Sequence, residues 1–229
     1  MEIINLKQEH LFISSEDITF SFIIKIQQLG QVWLFNCSEG CQHTLARKKI
    51  KISQITKIIV TDLNIKHVSG LLGLLSSLSL NTSIEKIDIY GPTGLMNYLF
   101  LGRQYSQTNF RYTLSIHNIE TGVVVQNQLY QLYAFTDLVS ILSFDYYLLI
   151  SEKPGRFNLL QAIKYNIPLG YLYGELKIGN NFILPDGFML YGNSFINSYY
   201  LGSKVSFLFN YSKRQSFEFA KNSRVIFYK

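Results

Sequence analysis

The stretch ISQITKIIVTDLNIKHVSGLLGLLSSLSL, residues 52–80, decides the fold. Within it, KIIVT at 57–61 is a short β-branched run flanked by polar residues, as a buried central strand would be. A polar loop, DLNIKH at 62–67, follows. Over 68–80, leucines at 71, 72, 74, 75, 78 and 80 give a broad apolar helix face, and Gly70, Gly73, Ser76 and Ser77 between them let it pack closely on a sheet.

Working outward, 18–26 and 32–35 are β-rich runs separated by a turn around Leu29-Gly30, which predicts an antiparallel hairpin. Downstream, KIDIY at 86–90 runs into GPTG, where Pro92 can begin a helix over 95–101. From 112 to 150 the chain reads as successive strands with turns near Glu120-Thr121-Gly122 and around Asp137. The stretch 151–187 holds three of the 4 prolines and five of the 15 glycines, so it reads as an excursion from the core. Short strands over 204–209 and 224–228 end the chain, and there is no internal repeat.

Composition sets the frame. At 229 residues the chain buries a sizeable core, and nothing in it marks a division, so one domain is expected. A hydrophobic share of 48% and a charged share of 16% exclude a disordered chain, and 16 Tyr with 17 Phe favour strands. The best apolar run, 138–150, is broken by Asp145 and the Tyr pair, so it predicts a buried strand rather than a membrane span. The opening MEIINLKQEH lacks the basic-then-apolar order of a secretory signal. Alanine is scarce against Ile, Asn, Lys, Phe and Tyr, a bias that suggests an AT-rich genome and a product of the plastid stroma.

A net charge of +6 favours a polyanionic partner but also arises from solvated lysines. Cys37 and Cys41 in CSEGC suit neither a disulfide framework nor a zinc set, and reduced packing residues are expected. No GxxxxGK[ST], GxGxxG or GxSxG pattern is present.

Four blocks then carry a resemblance. WLFNCSEGCQHTLAR, 33–47, resembles the ribonuclease Z segment WLFDCGEGTQ and its helix, with Asn36 in place of that Asp. The opening stretch resembles the family's ITHLHGDHxxGLxGLLSSxSL. IDIYGPTGL, 87–95, resembles IYGPxGL, and EKPGRFNLLQAIKYNIPLGYLYGELKIGNNFILPDG, 152–187, is similar to the family's GPLYGxLKxG arm. The resemblance implies an α/β fold, the metallo-β-lactamase αββα sandwich, as a single domain over 1–229 with a protruding arm at about 151–187. In the family, two zinc ions activate a hydroxide that removes tRNA 3′ trailers, and the arm holds the tRNA body, usually across a homodimer.

The departures are concentrated in the metal ligands. Where the family has HxHxDH, this chain has Asp62, Asn64, Lys66 and His67. Asp62 can still ligate, Asn64 offers only a carbonyl oxygen that suits zinc poorly, and the Lys66 ammonium repels a cation. Taking FDYY at 144–147 as the family's FGYR puts Val139 near the third-motif His; GDT becomes Asn210-Tyr211-Ser212, and the chain stops at Lys229 before the HEATF-like segment. A C-terminally incomplete sandwich is therefore one expectation. His43, His117, Asp137 and Asp145 are other donors, each more readily a structural residue than a ligand.

No catalytic residue and no zinc cofactor are therefore expected, Asp62 and His67 being remnants. Arg156, Lys164 and Lys177 on the arm are available for phosphate contacts, and Tyr171 and Tyr173 for packing or stacking, although the arm is less basic than the family's and its Gly-Pro step has become Gly170-Tyr171. ARKKIK at 46–51 is a second basic patch, equally explained as a solvated helix end. Three readings follow: a non-catalytic tRNA-binding or partner subunit, as a homodimer or beside an active ribonuclease Z; an endoribonuclease with a rearranged or single-metal site; and a degenerating reading frame without a defined role.

Overall fold

A computed structural model describes residues 2–6, 21–26, 30–81, 83–136, 144–199, 201–208, 218, 220–223 and 225–228. β1 (Glu2–Asn5), β2 (Phe22–Ile26) and β3 (Gln31–Phe35) pair antiparallel in sequence, so the expected hairpin is present. The chain then passes through α1 (Cys41–Arg47) to β4 (Ile55–Ile59), parallel to β3. Next come α2 (Ile65–Val68), α3 (Leu71–Ser79), β5 (Lys86–Gly91), α4 (Leu95–Ser106) and β6 (Thr113–Asn118). β5 and β6 continue the parallel run, giving the order β1-β2-β3-β4-β5-β6.

The second sheet starts with β7 (Gly122–Gln126), β8 (Tyr130–Thr136) and β9 (Phe144–Ile150). The chain then leaves it for α5 (Leu159–Lys164), α6 (Tyr171–Ile178), β10 (Phe182–Ile183) and β11 (Met189–Leu190). It returns through β12 (Ser203–Leu208) and β13 (Val225–Tyr228) to complete the order β13-β12-β9-β8-β7.

Alternation along the strands assigns the layers. Ile23, Leu34, Ile58, Ile87 and Ile89 point to the helices, where Leu71, Leu74, Leu75 and Leu78 of α3 cover them. Phe22, Ile24, Trp33, Phe35 and Ile59 point the other way, onto Leu132, Tyr146, Leu148 and Phe207 of the second sheet. Phe35 is the hub there, its ring centroid 4.6 Å from Phe22, 5.3 Å from Phe207 and 5.7 Å from Tyr146. Excursion residues Ala162, Ile167, Leu176, Leu190 and Phe195 form a small core of their own.

Some boundaries differ from the sequence reading. The helix expected over 68–80 is α3, which starts three residues later because Ser69 and Gly70 turn between it and the short α2 before it. A Cβ at Gly70 would stand 2.2 Å from the Ser38 carbonyl oxygen, and the Gly70 N–H donates to Cys37 O at 2.9 Å. That contact fixes the break. β4 starts and ends two residues earlier than expected, and α4 starts at Leu95 as expected, behind Gly94 (φ 103°), but runs on to Ser106. Asp137, Val139 and the 210–212 segment lie outside the described residues. No helix among the described residues is long and apolar enough to cross a membrane.

Candidate metal centre

The loop between β4 and α2 is built by its own polar side chains. Asn36 ends β3 with a positive φ of 55°, a conformation Asn tolerates better than most side chains. Its buried Oδ1 accepts from the N–H and the hydroxyl of Thr61, at 2.9 and 3.0 Å, tying the end of β3 to the start of the loop. Asn64 N–H then donates to Asp62 Oδ1 at 2.9 Å, an Asx turn, and Lys66 N–H donates to Asn64 Oδ1 at 3.1 Å, a helix N-cap. Asn64 thus spends its carbonyl oxygen on starting α2.

His67 is buried. Its Nδ1 lies 2.6 Å from Asp62 Oδ1, while its Nε2 has no hydrogen-bond partner among the described residues. The backbone around it is pinned by Cys37 N–H donating to His67 O at 2.7 Å. Beside it, Ser21 and Ser38 are linked hydroxyl to hydroxyl at 3.0 Å. From the second sheet Tyr146 reaches over, its hydroxyl donating to Val60 O at 3.4 Å. Burial, then the charges of Asp62 and Asp145, push the Tyr146 phenol well above its ordinary pKa. The sequence reading did not single out Tyr146; its place in FDYY, aligned with the family's FGYR just after the third-motif position, was the available signal.

These residues do not fit a dinuclear zinc site. Such a site needs several histidine and carboxylate donors converging on each ion. Asp62 Oδ1 already serves Asn64 N–H and the His67 ring, Asn64 Oδ1 caps α2, and the third position is the ammonium of Lys66. Among the described residues no three His, Cys, Asp or Glu side chains gather as a ligand set. The thiol of Cys37 is no substitute: the hydrogen bond with Cys41, burial and the charge of Cys41 hold it well above the ordinary thiol pKa, and zinc takes the thiolate.

The other expected donors are dispersed. His43 is exposed on α1, and Asp145 is buried on β9. His117 lies on β6, with Nε2 3.3 Å from Asp88 Oδ1 and its ring stacked on Tyr90 at 4.7 Å. Asp88 also meets Lys86 at 3.0 Å and Lys57 at 3.3 Å. Burial alone would raise the Asp88 pKa, but Lys86, His117 and Lys57 together outweigh it and hold the carboxyl below its usual value.

A lowered folded-state pKa means that Asp88 stabilises the fold above the unfolded value, about 3.9, and that this contribution is lost as pH falls through the folded value. Denaturant titrations should therefore show Asp88→Asn destabilised at neutral pH, with the gap to wild type closing below about pH 4. A pH-independent gap would contradict this.

The excursion residues also sort themselves. Arg156, Lys164 and Lys177 are all exposed. Of the two tyrosines expected to pack or stack, Tyr173 packs: it is half-buried, its hydroxyl donates to Ile167 O at 3.0 Å and its ring lies 4.9 Å from that of Phe157. It is a packing residue of the small core. Tyr171, 79% exposed, is the open ring.

Two packed sheets, with helices on the outer face of one and a strand–loop–helix unit at the sandwich rim, define a metallo-β-lactamase fold. The human tRNase Z short form superposes with a TM-score of 0.55 at 26% identity, over 65% of this chain and 63% of that one. No protein-family model matches. The uncharacterized protein ycf56 of Porphyra purpurea is 40% identical over 186 residues, 81% of this chain and 71% of the relative. Ribonuclease Z of Acaryochloris marina is 39% identical over 187 residues, 82% of this chain but 60% of that enzyme. The chain belongs to the ribonuclease Z family, spanning less than two thirds of the length of the curated enzyme it matches.

Proposed function

We propose that this chain is a non-catalytic member of the ribonuclease Z lineage that binds tRNA through its scaffold and its 151–187 arm. The observation that carries this reading is the chemistry of the 62–67 loop. Its donors are committed to an Asx turn, a helix cap and an Asp62–His67 hydrogen bond, and Lys66 stands in the sequence where the family has a metal-ligating Asp. A phosphodiester is attracted to an ammonium there, whereas hydrolysis would need an activated water that this donor set does not supply.

Arg156, Lys164 and Lys177 extend the basic surface on the arm, where exposed side chains reach phosphates without a desolvation cost. In filter-binding titrations, tRNA affinity should fall steeply with salt, and each Ala substitution at these three positions should reduce the log–log salt slope by about 1. Salt-independent binding, or none, would overturn the tRNA reading. A partner version of the same proposal seats the chain beside an active ribonuclease Z, and co-purification with such an enzyme tests it.

One observation favours a second reading, an enzyme with a single rearranged metal. A carboxylate on Nδ1 with Nε2 left open is how metal-binding histidines are oriented. One imidazole does not make a site, so this reading stands or falls on metal content. The plastid stroma is the proposed location, supported by the residue bias and by the ycf56 relatives from Porphyra purpurea and Pyropia yezoensis.

A further inference from the structure

We propose that the cavity where β6 gives way to β7 binds an unpaired guanine base, stacked on His117 and hydrogen-bonded to Glu120. Among the described residues the first sheet ends at β6 and the second at β7, and residues 119–121 carry the chain from one to the other. Ile119 ties that passage down: it is buried, and its N–H donates to Gly91 O at 2.9 Å. Around it lies a cavity of about 370 Å³, lined by Tyr90 and His117 of the first sheet and by Gly122, Val123 and Val124 of β7. A Cβ at Gly122 would meet nothing within 4 Å, so the β7 wall stands clear of the rings. Ligand pockets run from about 300 to about 1,000 Å³, and this one, at the small end, suits a single heterocycle.

Which ring a base meets depends on what the neighbouring strands already cover. Tyr90 on β5 stands opposite His117 on β6 in the register, and their rings stack with centroids 4.7 Å apart at 18°. From β4, on the other side of β5, the Lys57 ammonium lies 5.5 Å from the Tyr90 centroid. Both faces of Tyr90 are therefore taken, and the column's open ring is His117, 45% exposed on the terminal strand. His117 Nε2 is held 3.3 Å from Asp88 Oδ1, and Asp88 is itself held by Lys86 and Lys57. An imidazole fixed by a stack and a carboxylate is a preformed platform, and unpaired bases stack on such rings.

The polar groups select among ligands. Lys57 and Lys86 are matched by Asp88 and Glu120, so a bare phosphate finds no excess of lysine charge. The Glu120 carboxylate and the Asn118 carboxamide line the cavity, are exposed, and make no side-chain hydrogen bond among the described residues. A carboxylate only accepts, through two oxygens, so it calls for two adjacent N–H donors. Guanine presents that pair, N1–H and the N2 amino group, on its Watson–Crick edge. Adenine and cytosine set one amino group beside an acceptor, and uracil sets its one N–H between two acceptors, so each leaves a carboxylate oxygen facing a lone pair. Asn118 supplies the N–H that guanine O6 accepts. Because the Watson–Crick edge is the one read, the base is unpaired, either in a free guanine nucleotide or at a single-stranded RNA end. Only the RNA source rests on the tRNA reading.

Calorimetric titration of the full chain should show saturable binding of guanosine monophosphate, with adenosine and uridine monophosphates about 10-fold weaker or more. Glu120→Gln should abolish that preference. His117→Ala should weaken guanosine monophosphate by about 10-fold, and His117→Phe, which keeps a ring to stack on, should restore most of the loss. Both positions are exposed, and cooperative unfolding of each variant checks its fold. A short single-stranded RNA ending in guanosine that competes with guanosine monophosphate makes RNA the source, and one that does not compete makes it the free nucleotide. Arg156→Ala should lower tRNA affinity and leave guanosine monophosphate binding unchanged, so guanine binding without tRNA binding would sink the tRNA reading alone. No saturable nucleotide binding, no preference for guanine, or a preference that survives Glu120→Gln would each overturn the pocket, whatever tRNA does.

Discussion

Phe35→Ala is expected to cost about 3–5 kcal/mol of folding stability, the range for removing a fully buried large aromatic. Its ring is inaccessible and touches Phe22 and Phe207 as well as Tyr146, so truncation opens a cavity between two sheets that cannot collapse independently. In a chain of this length that loss lowers the unfolding temperature by roughly 10 °C. Calorimetry of wild type and variant checks both the shift and the cooperativity. A broad, non-cooperative wild-type transition would contradict an ordered core and favour the degenerating-frame reading.

Gly70→Ala is the second large effect. The added methyl would lie 2.2 Å from Ser38 O and 2.9 Å from Ser38 C, backbone atoms that cannot swing away as a side-chain end would. The segment is also held by Gly70 N–H to Cys37 O at 2.9 Å and Cys37 N–H to His67 O at 2.7 Å. The expected cost is at the top of the overpacking range, about 3 kcal/mol, read as a lower denaturant midpoint with an unchanged slope. Gly174→Ala is the control. Nothing lies within 4 Å of its Cβ and it sits inside α6, so Ala there should be neutral or stabilising by up to about 1 kcal/mol. Equal effects at the two glycines would contradict the close approach at Gly70.

What the sequence made legible, and what it hid, follows from the range of the interactions. The KIIVT run, the leucine face after it and the alternating strands are local patterns, and both sheets follow them. The position of the 62–67 loop was legible for the same reason, since flanking strand and helix fix it. The break at Gly70 was not, because it depends on Ser38, which packing brings alongside. The sequence left Tyr173 open between packing and stacking, and the choice of packing depends on Phe157 and the Ile167 carbonyl, which only the folded excursion brings to it. Asn64 looked only like a poor ligand, and its positive role as the cap of α2 appears once its oxygen is seen facing Lys66 N–H. The approach of Tyr146 to Val60 O joins residues 86 positions apart, beyond the reach of any local pattern.

On the reading proposed above, the family's metal loop has become a self-capped helix start without a dinuclear centre. Metal content of the full-length chain, purified without chelators and dialysed against zinc buffer, tests it most directly. The account predicts well under one zinc per chain, and no rise in unfolding temperature on adding zinc, whereas a tight site at 1,000 times its Kd would add about 4 kcal/mol. Two zinc ions per chain would contradict it.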